Sequence, residues 1–335
     1  MNALEESAVP LWYKPISPNY LRRAVWHDYR SRCAYMITLS KHHDLPVLSS
    51  LSQSMLEKPG IIYPELSLPG IAICRAFKDF QFKYPFLKVG RYVVMPDHIH
   101  FVIEALEILD RHFGFYLNKL KTECSMRYWI MMGGDPAGGC GSVFEDGYND
   151  KILRRKNQWN VWNEYIADNP RRLLVRRHLP EFFRRGRIVI AGTPREYSCY
   201  GNQFLLDYPD KRLVKFSRRF TREDTLKWRK SCLENSDMGT VLVSPFIHPE
   251  EKSIGNEVVK RGGKIIQIVE NPFGDREKPE RSRFNLCESG SLLIISLNGK
   301  KVDYPDNMTY NRASELNKFA RKIVDCSMDG LIHRR

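Results

Sequence analysis

The 335 residues are 42% hydrophobic and 12% aromatic, enough to bury two cores, which excludes an intrinsically disordered chain. The 53 Lys and Arg outnumber the 39 Asp and Glu, and the net charge of +14 points to a polyanionic partner. No run approaches the roughly 18 continuous apolar residues of a membrane span, Glu5 and Glu6 break any signal-peptide pattern, and eight scattered cysteines without a C-x-x-C pair read as free thiols, so the expected location is cytoplasmic, with no membrane partner.

Residues 1–30 read as an irregular arm containing Pro10, Pro15 and Pro18. Cys33 to Ser40 alternates as a first strand, and Lys41-His42-His43 follows as a loop. A helix is predicted from Pro69 to Phe80, then two antiparallel strands, Leu87 to Met95 and His98 to Glu104, turning across Pro96-Asp97. A long helix from Asp110 to Met131 leads into a glycine-rich loop, Gly133 to Gly141. The next helix spans Gln158 to Asn169 and is predicted to stop there, because Pro170 disfavours helical geometry in the residue before it.

After residue 185 the pattern changes. Strands are predicted at Arg187–Ala191, Lys211–Phe216, Gly239–Ser244, Lys264–Val269 and Ser291–Leu297, and helices at Thr221–Asn235, Pro249–Arg261 and Ala313–Cys326. Such alternation predicts a parallel sheet with crossover helices. In such a sheet ligands bind beyond the carboxyl ends of the strands, here at Ser244-Pro245-Phe246, Asn271-Pro272-Phe273-Gly274 and Ser289-Gly290-Ser291. There is no G-x-G-x-x-G, so a dinucleotide cofactor has no support.

The most informative residues are His98 and His100. On a strand, side chains two apart share a face, so both imidazoles project together while Ile99 points to the opposite layer. Such a pair makes half of a divalent-metal site. An isolated His-x-His more often marks two core histidines bonded to backbone, so the weight comes from Tyr165 and Asn169. These are four apart on the later helix and share one face. A tyrosine can act as a covalent nucleophile, and an asparagine carbonyl can be a third ligand for a hard cation. Zinc also accepts imidazole, so the ligand types alone do not separate it from Mg²⁺ or Mn²⁺. Between Lys151 and Arg187 stand eleven Lys or Arg against three acids, a net of +8 that brackets Tyr165. Arg154, Arg155, Lys156, Arg171, Arg172, Arg176 and Arg177 are the candidate phosphate contacts, with a solvated basic helix face as the alternative. Trp159, Trp162, Phe182 and Phe183 interleave with this charge, as in sites that stack unpaired bases, although helically spaced rings usually pack inward.

Together, Met95-Pro96-Asp97-His98-Ile99-His100 and Tyr165-Ile166-Ala167-Asp168-Asn169-Pro170, with the aromatic lead-in Phe144 to Asp150, resemble the single-tyrosine HUH transposases, closest to the group associated with repetitive extragenic palindromes. The resemblance covers roughly residues 30 to 180. It implies an α+β fold, with a ferredoxin-like antiparallel sheet backed by helices over residues 31–185. It also implies metal held by His98, His100 and Asn169, and Tyr165 as the nucleophile that forms a 5′-phosphotyrosine. The implied cofactor is Mg²⁺ or Mn²⁺. The implied partner is single-stranded or hairpin DNA, nicked and joined in DNA transposition and recombination. Relatives act as monomers or as trans-acting dimers, so a homodimer stays open. Residues 186–335 weakly resemble α/β Rossmann-like modules of the DNA-processing protein A type, an addition to the minimal transposase. Two other functions remain: a domesticated protein that binds palindromic repeats without cutting, and a nucleotide-sensing module carried by the C-terminal half.

Overall fold

Apolar residues at Tyr35, Ile37 and Leu39 alternate with Met36, Thr38 and Ser40, so the segment Ala34–Ser40 (β1) can bury both faces at the centre of a sheet. The computed structural model describes residues 23–135, 141–154, 158–190, 195–273, 282–303, 307–326 and 333–334. Two short paired strands, β2 (Ser49–Ser50) and β3 (Glu65–Leu66), follow β1. Then come α1 (Leu68–Lys83), β4 (Leu87–Val94), β5 (His98–Ala105), α2 (Phe113–Met131) and β6 (Asn149–Ile152). The strand order is β4-β5-β1-β6, every neighbouring pair antiparallel. α1 begins where Ser67 Oγ accepts the Gly70 N–H, with Pro69 in the first turn, where its missing donor is harmless. The β4–β5 hairpin closes through the Met95 N–H, which donates to the His98 carbonyl at 2.8 Å.

One face of this sheet supplies Tyr35, Ile37, Leu39, Ile99, Phe101 and Ile103 to a core closed by α1 and α2. Each large side chain buried there contributes roughly 1.5–3 kcal/mol. The other face presents Met36 and Val102 to Trp162 and Ile166 of α3 (Gln158–His178). A helix on each side therefore leaves no solvated sheet face at these positions. The helix and sheet approach closely because Gly90 has no side chain; a Cβ there would stand 2.8 Å from the Trp159 ring. The β4–β5 register shifts between Val89 and Tyr92, and Asn163 Oδ1 accepts the Arg91 N–H at 2.9 Å.

Strand β6 has no apolar alternation and was not among the predicted elements. Its edge position is held by a buried carboxylate instead: Asp150 accepts from Arg23 at 2.7 Å and from the Tyr29 hydroxyl at 2.8 Å. The Arg23 guanidinium lies over the Tyr148 ring, 3.3 Å from its centre, and burial pushes the Tyr29 phenol up. Residues 23–30, read from sequence as part of an irregular arm, thus join this core through Ala24 and Tyr29. Asp150→Ala strands the Arg23 charge and is expected to cost about 3 kcal/mol, read as a lower denaturant midpoint at unchanged slope.

α3 does not stop before Pro170, as the sequence suggested, but continues to His178. An interior proline costs about 3 kcal/mol through its missing N–H and its ring. Burial of Asn169 and Pro170 themselves, and of Arg172, Leu174 and Val175 on the following turns, opposes that cost. The chain divides into two compact units inside this helix, Met1–Leu174 and Val175–Arg335, upstream of the change in sequence pattern near residue 185.

The second unit contains β7 (Arg185–Val189), β8 (Glu196–Gly201), β9 (Lys211–Leu213), α4 (Arg222–Asp237), β10 (Val241–Ser244), α5 (Pro249–Lys260), β11 (Ile265–Val269), α6 (Ser282–Glu288), β12 (Leu292–Ser296), α7 (Tyr310–Asp325) and β13 (His333–Arg334). The strand order is β13-β7-β8-β12-β11-β10-β9. Strands β9 to β12 are parallel, as alternation of strand and helix predicts, but β8, β7 and β13 extend the sheet antiparallel. The expectation of a wholly parallel sheet is corrected accordingly. β8 escaped sequence reading because only Tyr197 and Cys199 supply its core-facing side. Leu316, Phe319, Ala320 and Ile323 of α7 share a core with Val241, Val243, Ile266 and Ile268. Alternation turns Leu242 and Ile265 to the other face, where α4 and α5 pack on β10 and β11. Among the described residues no helix is long and apolar enough to cross a membrane, and the described cysteines are unbridged.

Candidate functional site

His98 and His100 open β5 on the face that carries Val102, opposite Ile99 and Phe101. Their ring centres are 4.6 Å apart and the planes stand at 84°. Each ring is oriented through Nδ1. His98 Nδ1 meets the Asp97 carboxylate at 2.6 Å, and that hydrogen bond is the main reason the Asp97 carboxyl sits below its ordinary range. His100 Nδ1 meets Thr38 Oγ1 at 2.8 Å, because the antiparallel register sets Thr38 directly opposite His100. Ligation by either histidine would therefore go through Nε2, with the Asp97 carboxylate and the Thr38 hydroxyl holding the rings from behind.

α3 crosses the same face and brings Tyr165 to the histidines; the Tyr165 and His100 ring centres are 6.3 Å apart. The helix runs against the direction of β5. Its Trp159 end lies at Lys88 and Gly90, beside the Glu104 end of β5, while Trp162 and Ile166 cover Val102. One further turn, about 6 Å for four residues, carries the helix from Tyr165 to Asn169, toward the His98 end of the strand, where two residues also span about 6–7 Å. Asn169 is 7% exposed, and its Nδ2 has no hydrogen-bond partner. Turned end for end, the amide presents a carbonyl oxygen at that buried position, the donor a hard cation takes. Two imidazoles and this carboxamide fit a divalent ion. Among the described residues no three His, Cys, Asp or Glu side chains gather in one cluster.

The candidate phosphate contacts occupy different environments. Arg172 is 5% exposed, its guanidinium 5.2 Å from the centre of the Tyr165 ring, which puts a buried cation beside that ring instead of on an open face. Arg171 forms a forked pair with Asp168, at 2.6 and 3.2 Å. Arg154 lies over the Trp26 ring at 4.2 Å. Arg155 and Lys156 fall outside the described residues. Arg176 and Arg177, half-buried and exposed respectively, belong to the second unit. Trp162 packs in the core of the sheet face, as helically spaced rings usually do. Sequence reading missed Thr38. Its only signal was a hydroxyl on a strand otherwise apolar at neighbouring positions, and its partner depended on a strand register that no local pattern encodes.

No protein-family model matches this chain, and no curated protein is similar to it in sequence. Among solved structures, a REP-associated tyrosine transposase bound to a REP hairpin is similar to 44% of this chain and 72% of its own, with a TM-score of 0.31 and 15% identity.

Proposed function

We propose that the first unit is a metal-dependent DNA-nicking and joining domain of the single-tyrosine HUH type, acting on single-stranded or hairpin DNA. The observation that carries the reading is the convergence of Tyr165 on the His98–His100 pair from a separate element, with the buried Asn169 amide one turn further along. The β-α-β-β-α-β order and the antiparallel arrangement β4-β5-β1-β6 support a ferredoxin-like sheet as its frame. For the second unit, the four parallel strands with intervening helices support a Rossmann-like assignment.

In this reading His98, His100 and Asn169 would hold Mg²⁺ or Mn²⁺, which would supply Lewis-acid activation of the phosphate. Tyr165 Oη attacks the scissile phosphorus as the phenolic proton passes to solvent. The bond from phosphorus to the 3′ oxygen breaks, and that oxygen leaves as a hydroxyl after taking up a proton. The products are a 5′-phosphotyrosine and a free 3′ end, and attack by a 3′-hydroxyl on the phosphotyrosine reverses the step and joins strands. Arg172, beside the Tyr165 ring, provides positive charge where the phosphate must come. Asp97 and Thr38 hold the histidine rings in position.

The test is covalent trapping. Labelled hairpin and single-stranded oligonucleotides, incubated with the protein and Mg²⁺ or Mn²⁺ and run on a denaturing gel, are expected to yield a protein–DNA band that a chelator abolishes. Tight, salt-sensitive binding with no band across a broad substrate set would favour a protein that binds DNA without cutting it.

A further inference from the structure

The first unit holds a second concavity on the sheet face that carries the histidines. β5 places His98, His100, Val102 and Glu104 on that face, and the packing of Trp162 and Ile166 over Met36 and Val102 separates the histidines from Glu104. Beyond that packing, at the first turn of α3, lies a cavity of about 720 Å³, the size of a small-molecule site. Strand register assembles its floor, because Lys88 of β4 and Ala34 of β1 both stand opposite Glu104. Trp159 of α3 and Leu153 supply apolar wall, and Arg32 joins them just ahead of β1. Four residues of strand, about 13 Å, lie between His100 and Glu104, so the cavity is no part of the histidine site.

The charges of the cavity are uncommitted. Lys88 faces Glu104 across the strands, yet among the described residues no ion pair involves Arg32, Lys88 or Glu104. Arg32 and Lys88 are exposed while Glu104 and Trp159 are half-buried, so the cations stand at the mouth and the carboxylate and ring inside. The Lys88 ammonium is 5.8 Å from the centre of the Trp159 ring, so ring and cation border the same space. Cys33 also lines the cavity, but its thiol donates to the Ala34 and Leu153 carbonyls at 3.6 and 3.8 Å and burial pushes it up, so it offers no nucleophile. A ligand that meets these groups has a planar body for Trp159, adjacent N–H donors for Glu104 and an anionic group for Arg32 and Lys88. Guanine presents N1–H and N2–H side by side on one edge, a pair that adenine and the pyrimidines lack. A terminal phosphate carries nearly two charges and matches two cations, where a diester inside a strand carries one.

We infer that this cavity binds a free guanine mononucleotide, independently of any chemistry at Tyr165. Calorimetric titration of the full-length protein with GMP, AMP and guanosine tests it, beside a dT oligonucleotide that carries one internal dG and no terminal phosphate. GMP is expected to bind at least about tenfold more tightly than each of the other three. Glu104→Gln replaces one acceptor by a donor at unchanged shape, and should weaken GMP about thirtyfold while leaving AMP as it was. Arg32→Ala/Lys88→Ala should bring GMP down to the affinity of guanosine, which has no phosphate to lose contact. Both variants should keep the parent thermal midpoint, because glutamine is isosteric with glutamate and the two cations are exposed. No binding of GMP at millimolar concentration, equal affinity for GMP and AMP, or parental GMP affinity in Glu104→Gln would overturn the inference. Tighter binding of the oligonucleotide than of GMP, lost in Glu104→Gln, would also overturn it and make the cavity a contact for a strand.

Discussion

Tyr165→Phe is expected to abolish covalent attachment to DNA, by at least ~10³-fold, while leaving DNA affinity and thermal midpoint close to those of the parent. The substitution removes one oxygen. The ring stays against the Met36, Val102, Trp162 and Ile166 cluster, and Arg172 remains over it, so neither packing nor local charge should change. No other described tyrosine stands where Tyr165 does: the ring contact from α3 to His100 is made by this side chain. Trapping with labelled hairpin DNA reads the loss, and a filter or anisotropy assay reads retained binding. Persistence of the covalent band would remove Tyr165 from the chemistry. Loss of binding together with a fall in the thermal midpoint would instead make it a packing residue of the sheet face.

His100→Ala is expected to have the second-largest effect, raising the Mn²⁺ concentration needed for half-maximal cleavage by about 10²-fold or more, because removing a ligand should cost at least as much as losing an outer partner. Thr38→Val provides the graded comparison. It keeps shape and burial on β1 but deletes the hydroxyl on His100 Nδ1, so the expected shift is about tenfold in the same direction. Calorimetric titration with Mn²⁺ separates a metal effect from a folding effect, provided both variants melt as the parent does. Cleavage by His100→Ala at the parental metal dependence would sink the assignment of the histidines as ligands.

What could be read locally and what could not divide along one physical line. The hairpin around Pro96-Asp97, the helices α1, α2, α4, α5 and α7 and the four parallel strands all carry their own periodicity, so their positions were legible within a few residues. Strand β6 was not, because a single carboxylate, Asp150, holds it by pairing with Arg23 and Tyr29, both more than a hundred positions away. Local propensity ends α3 before Pro170, and only the burial of the turns beyond it shows why the helix continues. Arg172 read as one more member of a basic helix face, yet it is buried beside the Tyr165 ring.

For the candidate site the division is the same. That His98 and His100 share a strand face, and Tyr165 and Asn169 a helix face, follows from the repeat of a single element. That those two faces meet, that Thr38 stands behind His100, and that the Asn169 amide is buried without a partner for its nitrogen are visible in the folded chain alone. Those facts depend on antiparallel register and on the direction in which α3 crosses the sheet. Both are set by long-range packing of side chains such as Met36, Val102, Trp162 and Ile166, which no local pattern encodes.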